Sequence, residues 1–132
     1  MSWTTFTIST PRRTAFVDIT EQAAEAAAAS GREEGVLTLY CPHTTAGLMI
    51  NENADPDVLH DLGLVYDRLV PPDPAFRHGE GNSDAHAKSS LVGVTLQVPL
   101  AGGRLDLGRW QGIFFCEFDG PRERRVKVRV GP

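Results

Sequence analysis

The alternation of apolar and polar residues predicts strands in the first third of the chain. In WTTFTIST (residues 3–10) and AFVDIT (residues 15–20) the two kinds of side chain alternate with the period of two that is typical of a half-buried strand. The turn residues at 11–13 between them indicate that the two strands form a hairpin. GVLTLYC (residues 35–41) has few polar positions, so we expect it to be a central strand with both faces covered.

Capping residues and helical spacing predict two longer helices. Thr20 can cap an alanine-rich helix that continues to residue 29. Asp55 can cap a second helix, which should end before the proline pair at residues 71–72. The apolar stripe expected to be buried on the second helix consists of Val58, Leu62, Val65 and Leu69.

The last third of the chain is predicted to be strand-rich. VGVTLQV (residues 92–98) places four apolar side chains on one face, and two further strands follow in GIFFCEFDG (residues 112–120) and RRVKVRV (residues 124–130). These segments suggest an antiparallel meander. Because strands and helices occur without a regular βαβ alternation, we expect one compact α+β domain over residues 1–132, with a largely antiparallel sheet and two to three helices.

The segment GEGNSDAHAKSS (residues 79–90) concentrates short polar residues at the end of a proline- and glycine-rich loop. Long loops of this kind are often functional. A short helix is predicted from residue 84 to residue 90, and the backbone amides that precede it favour an anion such as phosphate. Alternatively, Asp84 caps this helix with its own carboxylate. Cations for an anion at this position could come from Lys88, Arg122 and Arg124.

Three histidines form the first candidate constellation. His43, His78 and His86 all fall in or beside loops, and neutral imidazoles from converging loops could hold zinc or another divalent ion such as magnesium. His60 lies off the apolar stripe of its helix and is expected to be a solvated side chain. No tight metal-binding spacing is present, so each histidine could equally be a solvated or hydrogen-bonded residue.

Two carboxylates form the second constellation. Glu52 follows an apolar run, and Glu117 lies within FFCEF, where it shares a strand face with Ile113 and Phe115. A carboxylate among hydrophobic side chains is a candidate for a raised pKa and for general acid–base chemistry. The alternative is that Glu117 lies on a solvated sheet surface and pairs with an arginine.

Composition and charge indicate which binding partners and which cellular location are expected. The net charge of −4 argues against nucleic-acid binding, and no apolar run is long enough to span a bilayer. The N-terminus MSWTTFTIST lacks the features of a secretory signal, so we expect a cytoplasmic protein. Cys41 and Cys116 are too few for a disulfide framework and should be thiols in the core.

Three longer segments resemble the signature segments of the YjbQ family, which was formerly uncharacterised and is often labelled secondary thiamine-phosphate synthase. The segments are HTTAGLMINENADPDV (residues 43–58), HGEGNSDAHAKSSLVG (residues 78–93) and LGRWQGIFFCEFDGPRERRVKV (residues 107–128). They occur in the family's order, and the resemblance extends from about residue 40 to residue 128. It implies a compact α+β fold, a homotrimer and a polar cleft lined by motif residues. The matching motif positions are His43, Asn51, Glu52, His78, Asn82, Asp84, His86, Glu117 and Arg122.

We therefore expect a small cytosolic enzyme that acts on a phosphorylated small molecule, with a divalent metal as a possible cofactor. The resemblance implies a reaction that joins a pyrimidine diphosphate to a thiazole phosphate with loss of pyrophosphate. The candidate catalytic residues are Glu52, Asp84, His86 and Glu117; the candidate substrate-binding residues are Asn51, Asn82, Lys88 and Arg122; the candidate metal ligands are His43, His78 and His86. A non-catalytic protein that binds a metal or a phosphorylated metabolite fits the same residues.

Overall fold

The computed structural model describes residues 2–132, which form eight strands and three helices. The strands are β1 (Thr4–Ser9), β2 (Ala15–Asp18), β3 (Gly35–Tyr40), β4 (Ala46–Glu52), β5 (Thr95–Ala101), β6 (Arg104–Leu105), β7 (Gln111–Glu117) and β8 (Glu123–Gly131). The helices are α1 (Thr20–Ala29), α2 (Pro56–Leu69) and α3 (Ser83–Val92). None of these helices is long and apolar enough to cross a membrane.

The strands form two antiparallel sheets. The larger sheet has the order β1-β8-β3-β5-β6, and the smaller one has the order β2-β7-β4. Every pairing between strands is antiparallel, and β3 lies in the middle of the larger sheet. The predicted α+β class and the central position of β3 are therefore confirmed. Tyr40 at the end of β3 is exposed, so only part of that strand is covered on both faces.

The hydrophobic core has two parts, which lie on the two faces of β7. Ile113 and Phe115 belong to the main cluster, which includes side chains from both sheets and from α1. Phe114 and Cys116 point the other way, into a smaller cluster that packs against α2 and α3. Cys41 and Cys116 are both buried free thiols, as predicted. Because β7 is buried on both faces, it carries a continuous apolar run rather than an alternating one.

The predicted hairpin and meander are wrong in their pairing. β1 pairs with β8, whereas β2 pairs with β7 in the other sheet. The chain also changes sheet between β7 and β8, so the last strands do not form a meander. Alternation identifies which face of a strand is apolar, but two sheets packed on one core give strands of both sheets the same pattern.

The stripe predicted to be buried on α2 is right at Leu62 but wrong at Val65 and Leu69. No side chain of this helix is fully buried, and Val65 and Leu69 are 47% and 66% exposed. The residues that pack against the smaller cluster are Leu59, Leu62 and Tyr66. The Tyr66 ring lies 6.0 Å from the Phe16 ring and 6.2 Å from the Phe118 ring, and these aromatic contacts set the rotation of the helix. The predicted cap is confirmed, since the Asp55 carboxylate accepts the Asp57 N–H at 2.9 Å.

Candidate functional site

Helix α3 carries three of the predicted site residues, Asp84, His86 and Lys88, and small side chains hold it close to β4. The Ser89 hydroxyl donates to the Ala46 carbonyl at 2.7 Å, and the Leu48 N–H donates to the Gly93 carbonyl at 3.0 Å. A Cβ on Gly47 would lie only 2.6 Å from that Gly93 oxygen, so this approach requires glycine. The close packing fixes the position of every side chain on α3 relative to the sheet.

A cleft of about 540 Å³ opens between the segment that links β3 to β4 and the C-terminal half of α3. We call it the histidine cleft, because His43 lines one side and His86 the other. The remaining lining residues are Tyr40, Cys41, Pro42, Thr44, Ser89, Ser90, Gly93 and Val94. Two of the three predicted metal-binding histidines therefore share one cavity, together with several hydroxyl groups.

The ring of His43 accepts a backbone hydrogen bond from β8 at a position that β3 no longer pairs with. The pairing of β3 with β8 ends at Tyr40 and Lys127, and the next free N–H on this side of β8, that of Arg125, donates to Nε2 of His43 at 2.9 Å. Burial lowers the pKa of His43, and the nearby Arg124 and Arg125 lower it further. The ring is therefore neutral at pH 7, and because Nε2 accepts a hydrogen bond, the ring proton lies on Nδ1.

The third histidine contacts His86 but completes no metal site. The His78 and His86 rings meet edge to face with their centroids 5.3 Å apart, and Nε2 of His78 lies 3.9 Å from the Glu80 carboxylate. Within residues 2–132 no group of three histidine, cysteine or carboxylate side chains could hold a metal ion. His43 already uses its unprotonated nitrogen on a backbone N–H. The residues of one chain thus do not fit the zinc or magnesium site that we expected.

Asp84 and Lys88 lie on the opposite face of α3 from the histidine cleft. They line a second cavity, of about 380 Å³, together with Arg13, Thr14, Asp67 and Pro72, which we call the Lys88 cleft. The Asp84 carboxylate accepts two bonds from Nη2 of Arg13, at 3.2 and 3.3 Å. Asp84 therefore does not cap α3, which was the alternative that the sequence left open.

Asn82 and Arg122 meet at the N-terminus of α3. The Asn82 amide donates to Oδ2 of Asp119 at 2.8 Å, and the Arg122 guanidinium donates to the same oxygen at 3.1 Å. Asn82 is the N-cap residue, but its side chain makes no capping bond, and its Oδ1 atom is buried without a partner among the described residues. Two carboxylates lie at this helix N-terminus, that of Asp84 in the first turn and that of Asp119 beside Asn82, so the anion site expected here is already close to internal acids.

Glu117 is fully buried between the sheets, and the raised pKa that we expected is wrong. Burial alone would raise the pKa, but hydrogen bonds from Arg124, from the Asp119 N–H and from the Thr10 hydroxyl lower it below its ordinary value. Arg124 is also buried, and it donates to the Thr45 hydroxyl at 2.8 Å. Glu117 therefore pairs with an arginine, Arg124, as the second interpretation of the sequence predicted, but the pair is buried and does not lie on a solvated sheet surface.

Asn51 and Glu52 lie at the other end of β4. Ala46 at the start of the strand faces Glu117, whereas Glu52 faces Gln111, so the two ends are about 20 Å apart at the usual strand rise. Glu52 accepts the N–H of Asp55 at 3.2 Å, and the Asn51 side chain accepts the N–H of Glu52. A single chain does not bring these residues to either cleft.

Several residues of these arrangements were not predicted from the sequence, among them Arg13, Asp67 and Thr45. Arg13 and Asp67 complete the Lys88 cleft, and Thr45 binds the buried guanidinium of Arg124. Arg13 and Asp67 are far from α3 in sequence, and each lies in a segment whose pattern indicates only a turn or a helix surface. The one available signal was Lys88 itself, since a lysine flanked by alanine and serine on a closely packed helix needs a partner when it is buried.

The fold and the histidine cleft define a class of single-domain α+β proteins with two antiparallel sheets. The family model described as UPF0047 protein YjbQ-like matches residues 4–131. The chain is 49% identical over 125 residues to the UPF0047 protein MJ1081 of Methanocaldococcus jannaschii, covering 95% of this chain and 91% of that protein. It is 47% identical over 127 residues to the UPF0047 protein YugU of Bacillus subtilis, covering 96% of each.

Solved structures agree with this relationship. An uncharacterised conserved YjbQ/UPF0047 protein from Clostridium acetobutylicum superposes with a TM-score of 0.94 at 45% identity, covering 97% of this chain and 99% of that one. A conserved hypothetical protein from Thermus thermophilus gives a TM-score of 0.88 at 46% identity, with 97% and 99% covered. The chain belongs to the YjbQ/UPF0047 family, as the three signature segments indicated.

Proposed function

We propose that the chain is an enzyme that acts on a phosphorylated small molecule in the histidine cleft. The observation that supports this proposal is that His43 and His86 line one cavity, together with the hydroxyl-bearing residues Thr44 and Ser90. A cavity of about 540 Å³ is within the usual size range of small-molecule sites. Imidazole and hydroxyl donors are suited to phosphate oxygens, which accept several hydrogen bonds at once.

In this proposal the two histidines have different roles. His43 is neutral and presents its Nδ1–H as a fixed donor to a phosphate oxygen, because its other nitrogen is held by β8. The ring of His86 makes no hydrogen bond within residues 2–132 and is the candidate for moving a proton. Glu117 is assigned to the fold, because a buried carboxylate already bound by an arginine is not available to a substrate.

The more specific proposal follows from the family resemblance: a thiamine-phosphate synthase-like transferase that is cytoplasmic and homotrimeric. Two features are consistent with an oligomer. Asn51 and Glu52 are too far from the histidine cleft of their own chain, so they could act at such a cleft only from a second copy. Large apolar side chains are also exposed, among them Trp3, Tyr40 and Leu69. A divalent metal would likewise need donors from a second chain.

Turnover tests this proposal directly. Purified protein would be incubated with the pyrimidine diphosphate and the thiazole phosphate, and released pyrophosphate would be measured over time. We expect His86→Ala to lower turnover by about 100-fold, the size of a typical general acid–base contribution, whereas the exposed His60→Ala serves as a matched control and retains it. Equal activity of the two variants, or no turnover by the unsubstituted protein, would contradict the proposal.

One observation favours a second candidate, a protein that binds a phosphorylated metabolite without converting it. Among the described residues that line the histidine cleft there is no carboxylate, so the lining offers donors but no acidic partner for His43 and His86. If equilibrium binding of the pyrimidine diphosphate is lost in His86→Ala while no product is ever formed, the binding function replaces the enzymatic one.

A further inference from the structure

The Lys88 cleft contains a buried cation whose hydrogen-bonding capacity is mostly unused. The Lys88 side chain is only 6% exposed, and within residues 2–132 its ammonium group has a single partner, the Asp67 carboxylate at 2.7 Å. An ammonium group can donate three hydrogen bonds. Two of its donors therefore have no protein acceptor among these residues and are available to a ligand in a cavity of about 380 Å³.

Within this ion pair, Asp67 is packed less tightly against the rest of the protein than Lys88 is. Its side chain is 62% exposed, and it projects from α2, a helix with no fully buried residue. Rotation of the Asp67 side chain into water would therefore disturb little packing. The same rotation would leave Lys88 without a bound anion, because Asp84, the other carboxylate among the described residues that line the cleft, is already bound by Arg13.

The charges of the cleft favour an anion once Asp67 has moved away. Arg13 and Asp84 neutralise each other, so the cleft carries the uncompensated positive charge of Lys88. Arg13 contacts Asp84 through Nη2 only, which leaves its other nitrogens available. A tetrahedral oxyanion has enough acceptor atoms for the unused donors of both cations, whereas a single carboxylate such as Asp67 has fewer.

We propose that the Lys88 cleft is a phosphate-binding site, separate from the histidine cleft, and that Asp67 occupies the place of the bound phosphate when the ligand is absent. Lys88 is the main binding residue, and Arg13 is the second cation. The proposal does not depend on catalysis in the histidine cleft, since the two cavities lie on opposite faces of α3 and share no lining residue.

Inorganic phosphate is the probe, and the backbone amide resonances of the labelled protein report where it binds. The Thr14 amide reports on the Lys88 cleft, and the Thr44 amide reports on the histidine cleft. We expect Asp67→Asn to bind phosphate in the Lys88 cleft roughly fivefold more tightly, as measured at the Thr14 amide. In the unsubstituted protein phosphate must displace Asp67 from Lys88, and an ion pair with one exposed partner weakens binding by about that factor. The matched control is Asp61→Asn, which removes the charge of another exposed aspartate from the same helix, one that pairs only with His60 within residues 2–132.

The combined variant Asp67→Asn with Lys88→Met should lose phosphate binding at the Thr14 reporter while the Thr44 reporter is unchanged. Urea unfolding of each variant confirms that it is folded. Three results would overturn the proposal: Asp67→Asn binds phosphate no more tightly than Asp61→Asn, binding survives the loss of Lys88, or phosphate shifts only the Thr44 reporter. Failure of turnover in the histidine cleft would leave all of these results unaffected.

Discussion

Replacing Glu117 by glutamine tests whether the buried ion pair holds the two sheets together. The substitution keeps the shape of the side chain and removes its charge, which leaves the guanidinium of Arg124 buried without a counter-ion. Removing one partner of a buried pair destabilises proteins by about 3–5 kcal/mol, and glutamine retains one acceptor oxygen, so we expect about 3 kcal/mol. For a chain of this length that corresponds to a melting temperature lower by about 12 °C.

The assay is urea unfolding followed by circular dichroism, with Glu123→Gln as the matched control. Glu123 is an exposed carboxylate next to Arg124 in sequence, and its loss should change stability by less than about 0.5 kcal/mol. Replacing both partners, as Glu117→Leu with Arg124→Met, should recover much of the lost stability. If Glu117→Gln is as stable as Glu123→Gln, the pair does not stabilise the fold and our assignment of Glu117 is refuted.

The pH dependence of stability gives a second test of the same pair. Because hydrogen bonds lower the folded-state pKa of Glu117 below the ordinary 4.5, the stabilisation is fully present above about pH 4.5. It is lost as the pH falls through the folded-state pKa. Unfolding measured from pH 6 to pH 3 should therefore show a steeper loss of stability for the unsubstituted protein than for Glu117→Gln. Parallel curves would contradict the lowered pKa.

Two further predictions concern the packing of α3 and the state of His43. Gly47→Ala places a Cβ 2.6 Å from the Gly93 carbonyl oxygen and should destabilise the protein by about 1–3 kcal/mol. Gly63→Ala is the control, because its Cβ would have its nearest contact at 3.8 Å and should not destabilise the protein. Equal effects of the two substitutions in urea unfolding would contradict this packing. The folded protein lowers the pKa of His43 from 6.5, so it favours the neutral ring. The stability of the fold that depends on this neutral ring is fully present above about pH 6.5 and is lost as the pH falls through the folded-state pKa. A titration of His43 by NMR checks this, and a His43 pKa at or above 6.5 would refute it.

The sequence predicted the elements of the fold better than their arrangement. The Asp55 cap, the helix that carries His86 and the central position of β3 were all accessible, because caps and apolar runs are local signals. The pairing of β1 with β8 was not accessible. Those strands are joined by contacts between residues more than one hundred positions apart, and the same alternation fits either sheet.

The candidate site was predicted in part. The three signature segments identified the family, and His43 and His86 do line one cleft. The expectation of a single pocket was wrong for one chain, because Asp84 and Lys88 face away from the histidines on the same helix. Short helices with small residues on every side carry almost no amphipathic signal, so the sequence cannot show which face of α3 meets which loop.

Glu117 shows a different limit of sequence reasoning. Its alternation with Ile113 and Phe115 identified a carboxylate on an apolar face, and that placement is confirmed. The direction of the pKa shift depended on a partner in another strand. Arg124 follows only seven residues later but lies in the other sheet, and only the folded chain brings the two groups together.

A titration with inorganic pyrophosphate shows whether His43 and His86 bind one ligand in a shared cleft. The ring nitrogen resonances of the four histidines are recorded at each pyrophosphate concentration. We expect His43 to keep its proton on Nδ1, and the resonances of His43 and His86 to shift together with one binding constant. The exposed ring of His60 should not respond. Independent shifts of His43 and His86, or a response of His60 alone, would contradict a shared ligand-binding cleft.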